Sequence, residues 1–192
     1  MENKLFIEDK TFEKTDFSGG GFVKANYENC IFLNCDFSNA DLSDFQFADC
    51  KFHSCNLSTA KLLRTALRDV RFKDCKMLGL HFENCNDFLF VVSFENCSLN
   101  LSSFYKRSLK KTLFMSCSLR EVDFSDADLA ETIFESSDLS LSIFDNTILE
   151  KADLRTAYNY TIDPEMNRIK KAKFSAAGIS GLLDKYDIEI EN

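Results

Sequence analysis

A large apolar residue returns at every fifth position along most of this chain. The first series runs Phe12, Phe17, Phe22, Tyr27, Phe32 and on in steps of five to Phe82. A second series begins two positions out of phase at Phe94 and ends at Leu154. Together the two series hold 15 of the 20 Phe. Random placement would put only about one fifth there, so the spacing is a folding rule. Two positions before most of these large residues sits a small one, such as Ala25, Cys30, Cys35, Ala127 or Thr147. The residue just before is often Asp or Asn, as at Asp36, Asp41, Asn56 and Asp138. The two positions after it are mostly polar. Period five suits neither regular element. On an α-helix it steps about 140° and spreads the Phe around every side. On a flat strand an odd spacing throws successive residues to opposite faces. The spacing of two between small and large residue is strand-like, so both point inward. The next two residues must turn the chain before the following pair points inward again. A chain that keeps turning winds into a coil, and coils stack at about 4.8 Å by backbone pairing.

The motif small–Asp/Asn–Leu/Phe–polar–polar, over residues 12 to 156, resembles the pentapeptide-repeat family. The resemblance implies an all-β solenoid, a right-handed quadrilateral β-helix with four repeats per coil. The 28 repeats then make about seven coils, or about 34 Å. The expected organisation is a β-helix over 1–156, with 1–11 as an N-terminal cap, and a C-terminal cap and dimerisation segment over 157–192. The phase shift at 83–93 reads as a bulged corner, and its apolar run Phe88 to Val92 either packs into the coil or meets a partner. After Leu154 the repeat stops. Ile162-Asp163-Pro164-Glu165 predicts a turn. Residues 173–185 suit a short helix capped by Ser175, and Tyr186 to Glu191 alternates like a terminal strand. An end coil exposes apolar core and open edges, so a cap is required there.

Side-chain chemistry is sparse. All eight Cys fall in the small-residue slot, which explains them as buried free thiols; no C-x-x-C occurs. The two His, His53 and His81, lie six repeats apart, one and a half coils, and so face opposite sides. No Ser/His/Asp or Cys/His arrangement can assemble from them. Ser18-Gly19-Gly20-Gly21 lacks the Gly-Lys-Ser/Thr of a phosphate loop. Carboxylates are plentiful, but a filled solenoid offers no pocket to separate their pKa values. The expectation is a protein that is not an enzyme, with no catalytic residue, metal or cofactor. The net charge of −8 argues against nucleic acid or an anionic membrane as partner. No stretch reaches the length of a membrane span, and no signal peptide is visible, so a cytoplasmic location is expected.

The tail Ile162-Asp163-Pro164-Glu165-Met166-Asn167-Arg168-Ile169, followed by Leu182-Leu183, resembles the C-terminal end of one subgroup. These are the Qnr and MfpA quinolone-resistance proteins and the microcin B17 immunity protein, which protect DNA gyrase and topoisomerase IV. That resemblance implies a homodimer joined through Leu182, Leu183, Tyr186, Ile188 and Ile190. It also implies a DNA-mimicking rod that shields a type II topoisomerase from quinolones or peptide toxins. The charge distribution bears on this. Residues 1–49 hold ten acids and four bases, 50–120 five and twelve, and 121–192 sixteen and seven. The expected partner-binding acidic surface is Asp123, Asp126, Asp128, Glu131, Glu135, Asp138 and Asp145. The basic middle coils depart from a uniform DNA-like rod. They leave open the alternative of a structural protein–protein interaction scaffold with a non-topoisomerase partner.

Overall fold

The computed structural model describes residues 5–189. The chain winds as a four-sided solenoid, each side one five-residue repeat. Register proves the count: Phe12 pairs with Phe32, Phe32 with Phe52 and Phe52 with Phe72, each twenty residues on and all parallel. Side 1 stacks β1 (Phe6–Glu8), β3 (Asn26–Glu28), β5 (Gln46–Ala48) and β7 (Ala66–Arg68) into a four-stranded sheet. Side 2 stacks seven strands: β2 (Thr11–Glu13), β4 (Ile31–Leu33), β6 (Lys51–His53), β8 (Val70–Lys73), β9 (Val92–Glu95), β10 (Leu113–Met115) and β11 (Ile133–Glu135). Six steps at about 4.8 Å make that sheet about 29 Å tall. Sides 3 and 4 are too short for strands and pair as single bridges, such as Asp36 with Asn56 and Asp41 with Lys61.

The fifth residues fill the axis. On side 2 the Phe rings stack coil on coil, from 4.5 Å between Phe32 and Phe52 to 5.4 Å between Phe72 and Phe94. Rings of opposite sides meet edge-on across the axis, as Phe94 and Phe104 do at 6.1 Å. Both arrangements are favoured by the ring quadrupole. Each buried Phe or Leu stabilises by about 1.5–3 kcal/mol. The small residues fill the space beside them. All eight Cys are free and buried. Their Sγ atoms lie against carbonyl oxygens, Cys55 within 3.3 Å of Phe32 O in the coil below. Burial pushes the Cys50 thiol up to about 12.

Two devices turn the corners. The second residue after most centres adopts a left-handed conformation, with φ near +55° from Asn29, Asn34 and Asn39 through to Lys171. Asn and Asp tolerate that region, which explains their frequency there. The Asp or Asn before the centre uses its side chain instead. Asp36 Oδ1 accepts from Ser38 N at 2.8 Å, and Asp41, Asn56, Asp123, Asp128, Asp138 and Asp153 each bond two residues on in the same way. These Asx turns hold the backbone as it leaves each side.

The phase shift is confined to side 1. β8 and β9 pair across it with Phe72 opposite Phe94, twenty-two residues on, so side 2 runs through unbroken. The side 1 sheet ends at β7. The apolar run divides: Phe90 packs against the core and Val92 is buried, while Phe88, Leu89 and Val91 point out.

At the C-terminus the coil outlasts the periodicity that ends at Leu154. Asp138 bridges Tyr158, Ile148 bridges Arg168 and Asp153 bridges Lys173, so the parallel ladder continues beyond residue 156 to about 173. Asn167 stands in a small-residue slot and is buried. Its amide donates to Phe144 O and Asp163 O, and its oxygen accepts from Thr147 N. Ser175 caps a short turn, Ala176–Gly178, its hydroxyl accepting from Gly178 N at 3.1 Å, and α1 (Ser180–Leu183) follows. Gly178 and Gly181 lie so close to Tyr160 that a Cβ at either would fall about 2 Å from it. The expected terminal strand is absent: Asp184–Tyr186 is a 3-10 turn and 187–189 carry no strand. Lys185 explains this, since it bridges Asp163 at 2.8 Å and Glu165 at 2.7 Å and folds the segment back on the last coil. The remainder of that expected strand, including Ile190, lies outside the described residues.

Candidate partner-binding surface

With the core filled by apolar side chains, the charged residues other than Arg107 lie on the outside among the described residues. The acids of the final coils are distributed by their place in the repeat. Asp123 precedes centre Phe124 on side 4, and Asp145 follows centre Phe144 on the same side. Asp126 turns the corner from side 4 to side 1, with φ +57°. Asp128 lies on side 1, Glu131 at the corner of sides 1 and 2, Glu135 on side 2 in β11, and Asp138 on side 3. The seven predicted residues therefore ring the rod and do not form a single face.

Pairing divides them further. Lys110 neutralises Asp128 at 3.0 Å, Lys151 lies 3.4 Å from Glu131, and Arg120 lies 3.8 Å from Asp138. The Asp138 carboxyl is partly buried, which pushes its pKa up, but hydrogen bonds from Ser140 and Asn159 outweigh this and hold it low. Asp123, Asp128 and Asp138 also make Asx turns, so one carboxylate oxygen of each serves the backbone. Among the described residues Asp123, Asp126, Glu135 and Asp145 have no ion-pair partner, and neither does Glu121. Glu121, Asp123, Asp126 and Asp145 all lie on or beside side 4. Spacing alone could not find this strip, because it depends on which coil carries a base opposite each acid.

The predicted dimer residues also separate. Leu182 is half-buried and packs against this chain's own core, and Leu183 is half-buried. Tyr186 and Ile188 are 52% and 56% exposed and remain available to a partner.

Elsewhere the chemistry is local. His53 pairs with Asp74 at 3.2 Å on side 2 and His81 with Glu83 at 2.8 Å on side 4, opposite each other as their spacing requires. No three His, Cys, Asp or Glu group as a metal site among the described residues. An open concavity of about 420 Å³ lies between residues 157–161 and the cap; Asp184 is the one charged residue lining it. No helix among the described residues is long and apolar enough to cross a membrane.

One buried charge was invisible in the pattern. Arg107 occupies a small-residue slot yet is 3% exposed. Its only signal in the sequence is the gap it leaves in the series of small residues.

A parallel four-sided β-solenoid, filled along its axis and charged on its skin, is a repeat protein of the β-helix class. Comparison with known families agrees. The pentapeptide repeat region matches residues 25–87, and the eight-copy pentapeptide repeats match 117–155. The chain belongs to the pentapeptide-repeat family. No curated protein matches its sequence. Among solved structures, HetL, a pentapeptide repeat protein involved in heterocyst differentiation regulation from the cyanobacterium Nostoc, aligns over 89% of this chain and 86% of its own at 13% identity, with a TM-score of 0.60. That likeness concerns the fold. A trypsin-treated variant of QnrB1, a plasmid-mediated fluoroquinolone resistance protein, aligns over 96% of this chain and 99% of its own at 23% identity, with a TM-score of 0.48. Full-length QnrB1 aligns over 95% and 100% at 21% identity, with a TM-score of 0.45.

Proposed function

We propose that this protein is a dimeric DNA mimic that binds the DNA-binding groove of a type II topoisomerase, DNA gyrase or topoisomerase IV, and shields it from a poison such as a quinolone or a peptide toxin. The observation that carries the reading is the unpaired strip Glu121, Asp123, Asp126 and Asp145 on one side of the last coils. A groove that holds DNA phosphates is basic, and a rod bearing uncompensated carboxylates is attracted to it. The exposed Tyr186 and Ile188 supply an apolar contact for a second copy, which would bring two such strips into one two-fold rod. The core supplies rigidity and no chemistry, so the reading needs no catalytic group in this chain. Gyrase supercoiling assays test it. The protein is expected to inhibit supercoiling at micromolar concentration and to reduce cleavage provoked by a quinolone. Absence of both effects would refute the reading. The exposed Phe88, Leu89 and Val91 favour a second reading, an interaction scaffold for a non-topoisomerase protein. The two readings use different sides of the rod.

A further inference from the structure

The two extra residues of the phase shift fall between Asn86 and Val91, where the chain loses its ladder. Among the described residues no backbone hydrogen bond joins 86–91 to 105–111 in the coil above. Arg107 takes over. Its Nη1 donates to Cys85 O at 3.1 Å and to the Asp87 carboxylate, its Nη2 donates to Asn86 O at 3.1 Å, and its guanidinium lies 4.3 Å from the Phe90 ring centre. Asn86 Oδ1 accepts from Phe88 N at 2.8 Å. The bulge is thus fixed from within by a buried cation, not left as a loose loop.

What it presents is apolar. Phe88, Leu89 and Val91 are 62%, 58% and 53% exposed within four residues. Leu89 also holds a left-handed φ of +56°, where an aliphatic side chain is disfavoured. The Arg68 guanidinium lies over the Phe88 ring at 5.4 Å, and Arg68 has no carboxylate partner among the described residues. Nothing in solenoid stability calls for three exposed apolar side chains beside an unpaired cation.

We propose that this knob is a docking site for a second, acidic protein partner, one that presents carboxylates around an apolar recess. Charge chooses the occupant. The unpaired Arg68 sits in the segment 50–120, where twelve bases face five acids. A second copy of this chain fits poorly. Its acidic strip on this knob would make a head-to-tail contact that does not close, and knob against knob would oppose two Arg68. Nucleic acid is disfavoured because the knob sets one unpaired cation beside three exposed apolar side chains, too few bases to hold a phosphate backbone.

The test uses the full chain and fluorescence anisotropy. The probe is a labelled peptide alternating Glu with Leu and Phe, compared with the same peptide carrying Lys for each Glu and with a DNA oligonucleotide. The variants are Arg68→Gln and the double substitution Phe88→Ser with Leu89→Asn; Asn suits the left-handed position, and an unfolding midpoint within about 2 °C of the parent shows that the fold is kept. The acidic peptide is expected to bind saturably, and to lose about tenfold in affinity with the double variant and about threefold with Arg68→Gln. The Lys peptide is expected not to bind. Four results would overturn the proposal: no binding of the acidic peptide up to about 1 mM, equal binding of both peptides, affinity unchanged in the folded variants, or displacement of the peptide by the oligonucleotide.

Discussion

Leu101 and Leu141 stand at left-handed corners, φ +61° and +59°, with 54% and 71% of their surface exposed. An L-residue pays about 1–2 kcal/mol for that region, and Asn much less. Leu141→Asn is therefore expected to stabilise by about 0.5–1 kcal/mol and raise the unfolding midpoint by about 1–3 °C. A lower midpoint in a thermal melt would show that Leu141 makes a contact that matters more than its backbone. The same corners set the response to acid. The Ser18, Ser43 and Arg155 hydrogen bonds hold the Asp16, Asp41 and Asp153 carboxyls low, Asp153 at about 2. A depressed carboxyl contributes stability above its unfolded pKa near 4 and loses it as pH falls through the folded value. The midpoint should be flat from pH 8 to about 5 and fall most steeply between about pH 4 and 2. Asp153→Asn should flatten the lower part of that fall. Loss already largely complete above pH 5 would contradict this assignment. The sequence displays Asp before several centres plainly, but not its purpose, because an Asx turn and a solvated acid look alike in one dimension.

At the scale of elements, the two long sides behave differently at the same insertion. Side 2 keeps its ladder through β8 and β9, while side 1 stops at β7 and resumes as single parallel bridges such as Ser108 with Asp128. Arg107 joins the two halves where the backbone cannot. Arg107→Ala would strip Cys85 O and Asn86 O of their donors and open a void beside Phe90. A loss of about 2–4 kcal/mol is expected in urea unfolding. Arg107→Lys should recover only part of it, since an ammonium cannot span both carbonyls as a planar fork does. A change below about 0.5 kcal/mol would mean that the bulge needs no anchor. Periodicity places the insertion within residues 83–93. It could not say which of Phe88 to Val92 turn inward, because strand alternation is suspended where the ladder breaks. Nor could it show that coiling outlasts Leu154, because Tyr158, Arg168 and Lys173 pair through their backbones while their side chains abandon the motif. The last strand failed for a similar reason: alternation in Tyr186 to Glu191 ignores the pull of Lys185 on Asp163 and Glu165.

On the whole molecule, the fold was legible because one side chain in five meets its own kind in every coil, a repetition that composition alone could not mimic. The surface was less legible. Counting charges showed an acidic end, a basic middle and an acidic start, but not that bases in adjacent coils pair with Asp128, Glu131 and Asp138 while Glu121, Asp123, Asp126 and Asp145 have no ion pair among the described residues. A partner reads only what remains uncompensated, and such long-range attraction weakens with salt over about 10 Å at 0.1 M. Competition for gyrase between this protein and a labelled DNA duplex measures that remainder directly. The account predicts that the parent protein displaces the duplex. It predicts that Asp123→Lys, Asp126→Lys and Asp145→Lys together abolish displacement, and that Glu131→Lys with Glu150→Lys, at positions already paired, changes it by less than about threefold. Equal losses from the two sets, or full displacement by the triple variant, would contradict it.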